Sequence, residues 1–182
     1  MRVAIFDCGI NMGWAALVGG KAPTVGCRRL DGGPREMGKT MRCADTYIRQ
    51  VILRERPHAI GFASPHVAMR WDKLKKRWVP IDPFSIRPLF GTISKVEEIA
   101  EELKIKCYEL AESECRNAFM DGVPRKSRAI KNAVQVACRA RGWPWENEHS
   151  ADALCVGAHL LSILEPDGAH NLTPLFSERG DG

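Results

Sequence analysis

The chain has 182 residues and a formal net charge of +5, and 45% of its residues are hydrophobic and 27% charged. These values predict a single globular domain and exclude a two-lobed enzyme, an intrinsically disordered chain and a collagen-like repeat. No apolar run approaches the roughly 18–20 residues of a membrane span, and residues 1–17 lack the pattern of a signal peptide.

The N-terminal part of the chain reads as short strands separated by turns rich in glycine and proline. Three closely spaced strands predict an antiparallel meander, over Arg2–Phe6, Gly13–Val18 and Thr24–Leu30. A helix with apolar residues at helical spacing follows over Met37–Arg54, and then an apolar strand over His58–Phe62.

The second half of the chain alternates helices with a strand. Residues 66–83 are basic and aromatic, and we expect them to be irregular. The later patterns predict a helix over Phe84–Leu103, a strand over Lys104–Leu110, and helices over Ser127–Arg141 and Ser150–Leu164. This order predicts an α/β domain, a mixed sheet flanked by helices, over residues 1–165, and a flexible tail over 166–182.

The seven cysteines include no Cys-x-x-Cys pair, and most of them lie in apolar segments. An odd number without paired spacing argues against a disulfide framework and against a structural zinc site. This usage predicts reduced thiols and a cytoplasmic location.

Asp7 ends the first predicted strand, where the apolar run meets Cys8 and Gly9. A carboxylate at the edge of a core needs hydrogen bonds or a cation to offset the cost of burial. A turn-forming aspartate at a strand end is the purely structural alternative. Asp7 is therefore a candidate catalytic residue.

His149 and Asp152 begin the last predicted helix. Because residues three apart share a helix face, these two side chains can point at one spot. Asp152 is followed directly by Ala153 and Leu154, which places it at the border of the core. The structural alternative is helix capping, with His149 or Ser150 at the N-cap and Asp152 in the first turn.

Together, these two motifs resemble those of the RuvC-type Holliday-junction resolvases of the RNase H-like superfamily. Asp7 in FDCGINMGWA matches the acid that ends the family's first strand, and Asp152 in HSADALCVGAHLL matches the last acid of its final helix. His149 falls on the other metal-facing position of that helix, which a neutral imidazole can occupy. The resemblance covers residues 2–164, and RuvC-like proteins of phages and prophages look closest in length and detail.

The resemblance implies an RNase H-like fold, with a mixed five-stranded sheet made of a three-stranded antiparallel meander and parallel strands. It also implies a homodimer in a bacterial or phage-infected cell, which binds a four-way DNA junction and nicks two opposed strands. Asp7, His149 and Asp152 would hold two Mg²⁺ or Mn²⁺ ions about 4 Å apart for the hydrolysis of a phosphodiester bond.

One position departs from the family pattern. The family has a glutamate at the end of its fourth strand, where this chain has Ala63, in HAIGFASP. Either another acid replaces it, with Asp72 and Glu114 as candidates, or cleavage is weakened or lost. The intact flanking residues favour a substitution introduced into the chain over natural divergence. Two other functions stay open: a non-catalytic junction-binding protein, and another RNase H-like nuclease that acts on flaps or RNA–DNA hybrids.

Two basic stretches are candidate DNA-binding surfaces, because cations set the affinity for phosphate and aromatic side chains stack on unpaired bases. A solvated loop and an ordinary exposed helix face are the structural alternatives. The resemblance adds that the family carries lysines near the scissile phosphate ahead of its last helix. The candidates are Arg70, Lys73, Lys75, Lys76 and Arg77, flanked by Trp71 and Trp78, and then Lys126, Arg128 and Lys131.

Overall fold

The central sheet has five strands, in the spatial order β3-β2-β1-β4-β7. In this computed structural model, β1 (Arg2–Asp7), β2 (Asn11–Val18) and β3 (Thr24–Arg29) form an antiparallel meander. β4 (Ala59–Ala63) pairs in parallel with β1, and β7 (Lys106–Leu110) pairs in parallel with β4. The predicted mixed sheet is therefore confirmed, with each predicted strand within a few residues of its observed bounds.

Helices cover both faces of this sheet. One layer contains α1 (Met37–Glu55) and α2 (Pro83–Glu102), and the other contains α3 (Glu112–Phe119), α4 (Ser127–Ala140) and α5 (Glu148–Leu164). Successive side chains of a strand point to opposite faces, so β1 contributes to both cores. Val3 and Ile5 pack in the core on the α5 side, and Ala4 and Phe6 pack in the core on the α1 side.

The structure describes residues 1–65, 70–72, 76–79, 83–120, 122 and 127–166. The predicted tail after residue 166 lies outside the described residues, as do Lys73, Lys75 and Lys126. Within the described part of the chain, no helix is both long and apolar enough to cross a membrane. All seven cysteines are free, and three of them are buried.

Two features of the fold differ from the sequence predictions. The sequence pattern does not predict α3, because this eight-residue helix buries only Cys115 and Phe119 and is too short to show a helical period. The prediction of an irregular segment at 66–83 is wrong in part. A short antiparallel pair lies there, β5 (Arg70–Asp72) and β6 (Arg77–Val79), with Trp71 opposite Trp78 in the register.

The parallel strands bring three chain segments to one edge of the sheet. Asp7, Ala63 and Leu110 are the last residues of β1, β4 and β7, and the register places Phe6 opposite Phe62 and Ala63 opposite Leu110. Asp7 is in phase with the β1 residues that face α5, and Ala63 packs against the same core. This edge, under the N-terminal end of α5, is where the candidate site lies.

Candidate active site

Asp7 meets the first turn of α5 through a direct hydrogen bond. His149 Nδ1 and Asp7 Oδ2 lie 2.7 Å apart, although the residues are 142 positions apart in the sequence. Each side chain is 25% exposed. Burial raises the pKa of Asp7, and the hydrogen bond from His149 opposes that rise. The same hydrogen bond is the main reason that the pKa of His149 is raised.

The His149 side chain can make this bond because another residue caps the N-terminus of α5. Asn147 is the N-cap residue, and its Oδ1 accepts hydrogen bonds from the backbone N–H groups of His149 and Ser150 at 3.0 and 3.1 Å. The Ser150 hydroxyl accepts in turn from the Asn147 backbone N–H, which completes a capping box. The alternative with His149 or Ser150 at the N-cap is therefore wrong.

Gly13 allows α5 to approach the sheet this closely. Gly13 lies opposite Asp7 in the β1–β2 register. A Cβ atom at this position would lie 2.4 Å from the backbone carbonyl carbon of His149, which is closer than real Cβ contacts allow. Because the obstacle is backbone, only a shift of the α5 terminus could relieve the overlap.

We therefore expect Gly13→Ala to destabilise the fold by about 2 kcal/mol, the usual cost of forcing extra volume into a packed contact. Displacement of His149 should also lower any activity that depends on the Asp7–His149 pair. Chemical denaturation of the two proteins measures the first effect. Gly38→Ala in α1 is the control, because a Cβ there meets only the end of the Arg42 side chain, and it should not destabilise the fold. Equal stabilities for Gly13→Ala and the unaltered chain would contradict the close-approach argument.

Asp152 lies one helical turn after His149 and lines the same cleft as Asp7. Burial is the main reason that the pKa of Asp152 is raised to about 7, and the negative charge of Asp7 adds to the rise. Two carboxyl groups that are desolvated side by side favour a cation between them. The local charge therefore suits a metal ion.

Ala63 lines a narrow crevice together with Asp7 and Asp152. That crevice adjoins an open cleft of about 520 Å³ whose lining includes Asp7, His149 and Asp152. The structure thus places the four residues of the predicted catalytic set at one edge of the sheet. Their catalytic roles stay a prediction.

Two residues that the sequence did not single out also line the cleft. Glu112, in the first turn of α3, forms an ion pair with Arg116 one turn later. Glu114, a candidate from the sequence, is instead exposed on α3. Asp72, the other candidate, ends β5, and its side chain is not described. The sequence offered one indication of a site residue here, because Glu112 follows directly after the predicted strand that ends at Leu110. The helix α3, which orients Glu112, was not predicted.

The candidate DNA-binding residues divide between the cleft and the surface. Lys131 lines the cleft, and its Nζ lies 2.7 Å from Glu148 Oε2, a contact that lowers the pKa of Glu148. Arg128 is exposed on α4, and Lys76 is exposed between β5 and β6. Arg70 is the first residue of β5, and Arg77 is the first residue of β6.

The chemistry of the site fits a hard divalent cation, since carboxylate oxygens are the ligands that Mg²⁺ and Mn²⁺ prefer and imidazole is compatible with them. Within the described ranges, however, no three His, Cys, Asp or Glu side chains are already grouped closely enough to hold an ion. One Asp7 oxygen is occupied by the His149 hydrogen bond. An ion that binds this oxygen therefore competes with His149 for it.

No protein-family model matches the sequence, and no curated protein matches it either. Solved structures do match. RuvC of Thermus thermophilus in complex with a Holliday-junction substrate superposes with a TM-score of 0.66 at 17% identity, over 90% of this chain and 96% of that one. This chain has the RuvC fold.

Two further structures support that assignment. Another Thermus thermophilus RuvC structure gives a TM-score of 0.60, again at 17% identity and over 90% and 96% of the two chains. The yeast mitochondrial Holliday junction resolvase Ydc2 gives 0.54 at 12% identity, over 93% of this chain and 78% of that one. The RuvC fold, and with it the RNase H-like architecture predicted from the sequence, is therefore confirmed.

Proposed function

We propose that this protein is a structure-specific endonuclease that resolves four-way DNA junctions by metal-dependent hydrolysis of phosphodiester bonds. The observation that carries the proposal is the convergence of Asp7, His149 and Asp152 on one cleft within the RuvC fold. A RuvC of the same fold was solved on a Holliday-junction substrate, which supports branched DNA as the ligand.

The cleft residues would have different roles in such a reaction. Asp7 and Asp152 would hold two Mg²⁺ or Mn²⁺ ions, and His149 would complete the coordination. Bound ions of this kind activate a water molecule and stabilise the leaving 3′-oxygen. Arg116 and Lys131 line the same cleft and would attract the scissile phosphate through charge-assisted hydrogen bonds.

Ala63 would weaken this activity. A methyl group stands where the resemblance places a third carboxylate, so two carboxylates and an imidazole remain to balance two divalent cations. The second ion would then be held weakly and cleavage would be slow. This deficit is also the observation that favours a second candidate function, a protein that binds junctions without cutting them.

The proposal includes a homodimer. A four-way junction has two equivalent opposed strands, and two copies of one active site related by a twofold axis match that symmetry. Each cleft would then cut one of the two strands.

The test is cleavage of a four-way junction labelled in turn on each strand, with a duplex of the same sequence as control. We expect paired nicks in two opposed strands with Mg²⁺ or Mn²⁺, no nicks with a chelator, and an intact duplex. Binding in a gel-shift assay without nicks at any metal concentration would favour the junction-binding protein. Faster cutting of flaps or RNA–DNA hybrids would favour the other nuclease.

Junction binding should depend on the basic stretch that contains Lys73, Lys75 and Lys76, and it should fall with salt. Changing Lys73, Lys75 and Lys76 together to Ala should weaken binding to junctions of any sequence. The slope of log affinity against log salt should drop by roughly 0.9 for each lost phosphate contact. Lys21→Ala is the control, because Lys21 follows β2 at the opposite end of the sheet. An unchanged slope in the triple variant would show that these lysines do not contact DNA.

A further inference from the structure

We propose that Glu112 partly replaces the carboxylate missing at Ala63, so that the remaining metal binding and cleavage depend on an acid from the β7–α3 junction. This inference deepens the proposed nuclease function and rests on it for its catalytic part. Its metal-binding part can be tested separately.

The strand register places Glu112 close to Ala63. β4 and β7 are neighbours, and Ala63 lies directly opposite Leu110. Glu112 follows Leu110 by two residues and begins α3. Adjacent strands are about 4.8 Å apart, a distance that an extended glutamate side chain can span. An acid at this point therefore reaches the same edge of the sheet as one at the end of β4.

The lining of the site agrees with this placement. Glu112 lines the narrow crevice with Ala63 and Asp152, and it also lines the open cleft with Asp7 and His149. By contrast, Glu114 on the same helix is exposed and is not part of this lining.

Arg116 accounts for the observed position of Glu112. The two side chains form an ion pair across one turn of α3, with Glu112 35% exposed and Arg116 18% exposed. Pairs of this kind on a partly exposed helix are weak. A divalent cation can therefore compete with Arg116 for the carboxylate, and the released guanidinium still faces the cleft where a phosphate would lie.

The first experiment measures Mn²⁺ binding to the full-length chain by electron paramagnetic resonance, which counts the free ion. We expect Glu112→Gln to weaken Mn²⁺ binding at least about tenfold, because the loss of even a hydrogen-bond partner of a metal ligand has an effect of that size. Glu114→Gln should bind Mn²⁺ like the unaltered chain. Gln keeps the size of the side chain and its hydrogen bond to Arg116, so the melting temperature should change little. Equal Mn²⁺ affinities for Glu112→Gln and the unaltered chain would overturn the inference.

The second experiment is a double-mutant cycle on junction cleavage. In the chain with Ala63, Glu112→Gln should lower the cleavage rate by on the order of ten- to a hundredfold. In the Ala63→Glu chain, the same Glu112→Gln change should cost less than about twofold, because a carboxylate is already present. Equal losses in both backgrounds would show that Glu112 acts independently of position 63 and would overturn the inference.

The two experiments separate the inference from the function on which it rests. A chain that binds Mn²⁺ through Glu112 but cuts no branched DNA would contradict the nuclease and support Glu112 as a metal ligand. A chain that cuts junctions equally well with and without Glu112 would support the nuclease and overturn the inference.

Discussion

Asp7→Asn should abolish junction cleavage and leave junction binding intact. Asparagine keeps the shape of the side chain and can still accept the hydrogen bond from His149 Nδ1, but it lacks the charge that two metal ions require. We expect a loss on the order of a thousandfold, as for other groups that act on the reacting atoms. Single-turnover cleavage and a gel-shift assay on the same labelled junction measure the two quantities.

The stability of the same variant distinguishes a functional role from a structural one. The folded-state pKa of Asp7 is raised by burial, so the ionised carboxylate costs stability at any pH above its unfolded pKa. Asp7→Asn removes that cost and should melt at the same or a higher temperature near neutral pH without metal. Asp45→Asn, in a partly exposed α1 ion pair with Arg49, should cleave normally. A marked fall in the melting temperature of Asp7→Asn would indicate a structural carboxylate.

Ala63→Glu should raise the cleavage rate on the order of a hundredfold. Ala63 ends β4 beside the end of β1 and faces the same core as Asp7. A carboxylate at this position would therefore enter the crevice that Asp7 and Asp152 already line. The added charge should strengthen the binding of the weaker ion, and that is the physical reason for the gain.

The matched control for this gain is Ala63→Gln, which adds the same volume without the charge. We expect it to leave the cleavage rate low, and both variants to bind junctions like the unaltered chain. Equal rates for Ala63→Glu and the unaltered chain would contradict the weakening attributed to Ala63. A gain in both variants would point to packing and not to charge.

The comparison of Ala63→Glu with the unaltered chain also bears on whether Ala63 is an introduced or a natural residue. The intact flanking pattern favours an introduced substitution when the sequence is considered alone. A second acid at the end of the neighbouring strand, if it acts as we propose, would make natural divergence the simpler explanation.

The main elements of the fold and the two ends of the site could be predicted from the sequence because each has a local signature. Asp7 follows an apolar strand, and Asp152 opens an apolar helix, so their residue types and positions carry the information. The hydrogen bond between Asp7 and His149 could not be predicted, because it depends on Asn147 capping α5 and on the close approach at Gly13. The close approach at Gly13 is a long-range packing contact that no local pattern reveals.

Glu112 shows why the remaining part of the site was missed. Its relation to Ala63 depends on the β4–β7 register and on a helix of eight residues. A helix this short has only one apolar pair, so neither its existence nor its start is evident from periodicity. Glu114, two residues later, could not be distinguished from Glu112 until the start of α3 fixed which side chain faces the cleft.

The most direct measurement for the whole account is a crystal structure with Mn²⁺ and a four-way junction, analysed by anomalous scattering. We predict an anomalous peak in the cleft, with the Asp7 and Asp152 carboxylates as ligands at about 2.1 Å and the hydrogen bond between His149 and Asp7 opened. A junction bound at this cleft with no anomalous peak there, and with Asp7 still hydrogen-bonded to His149, would contradict metal-dependent cleavage at this site.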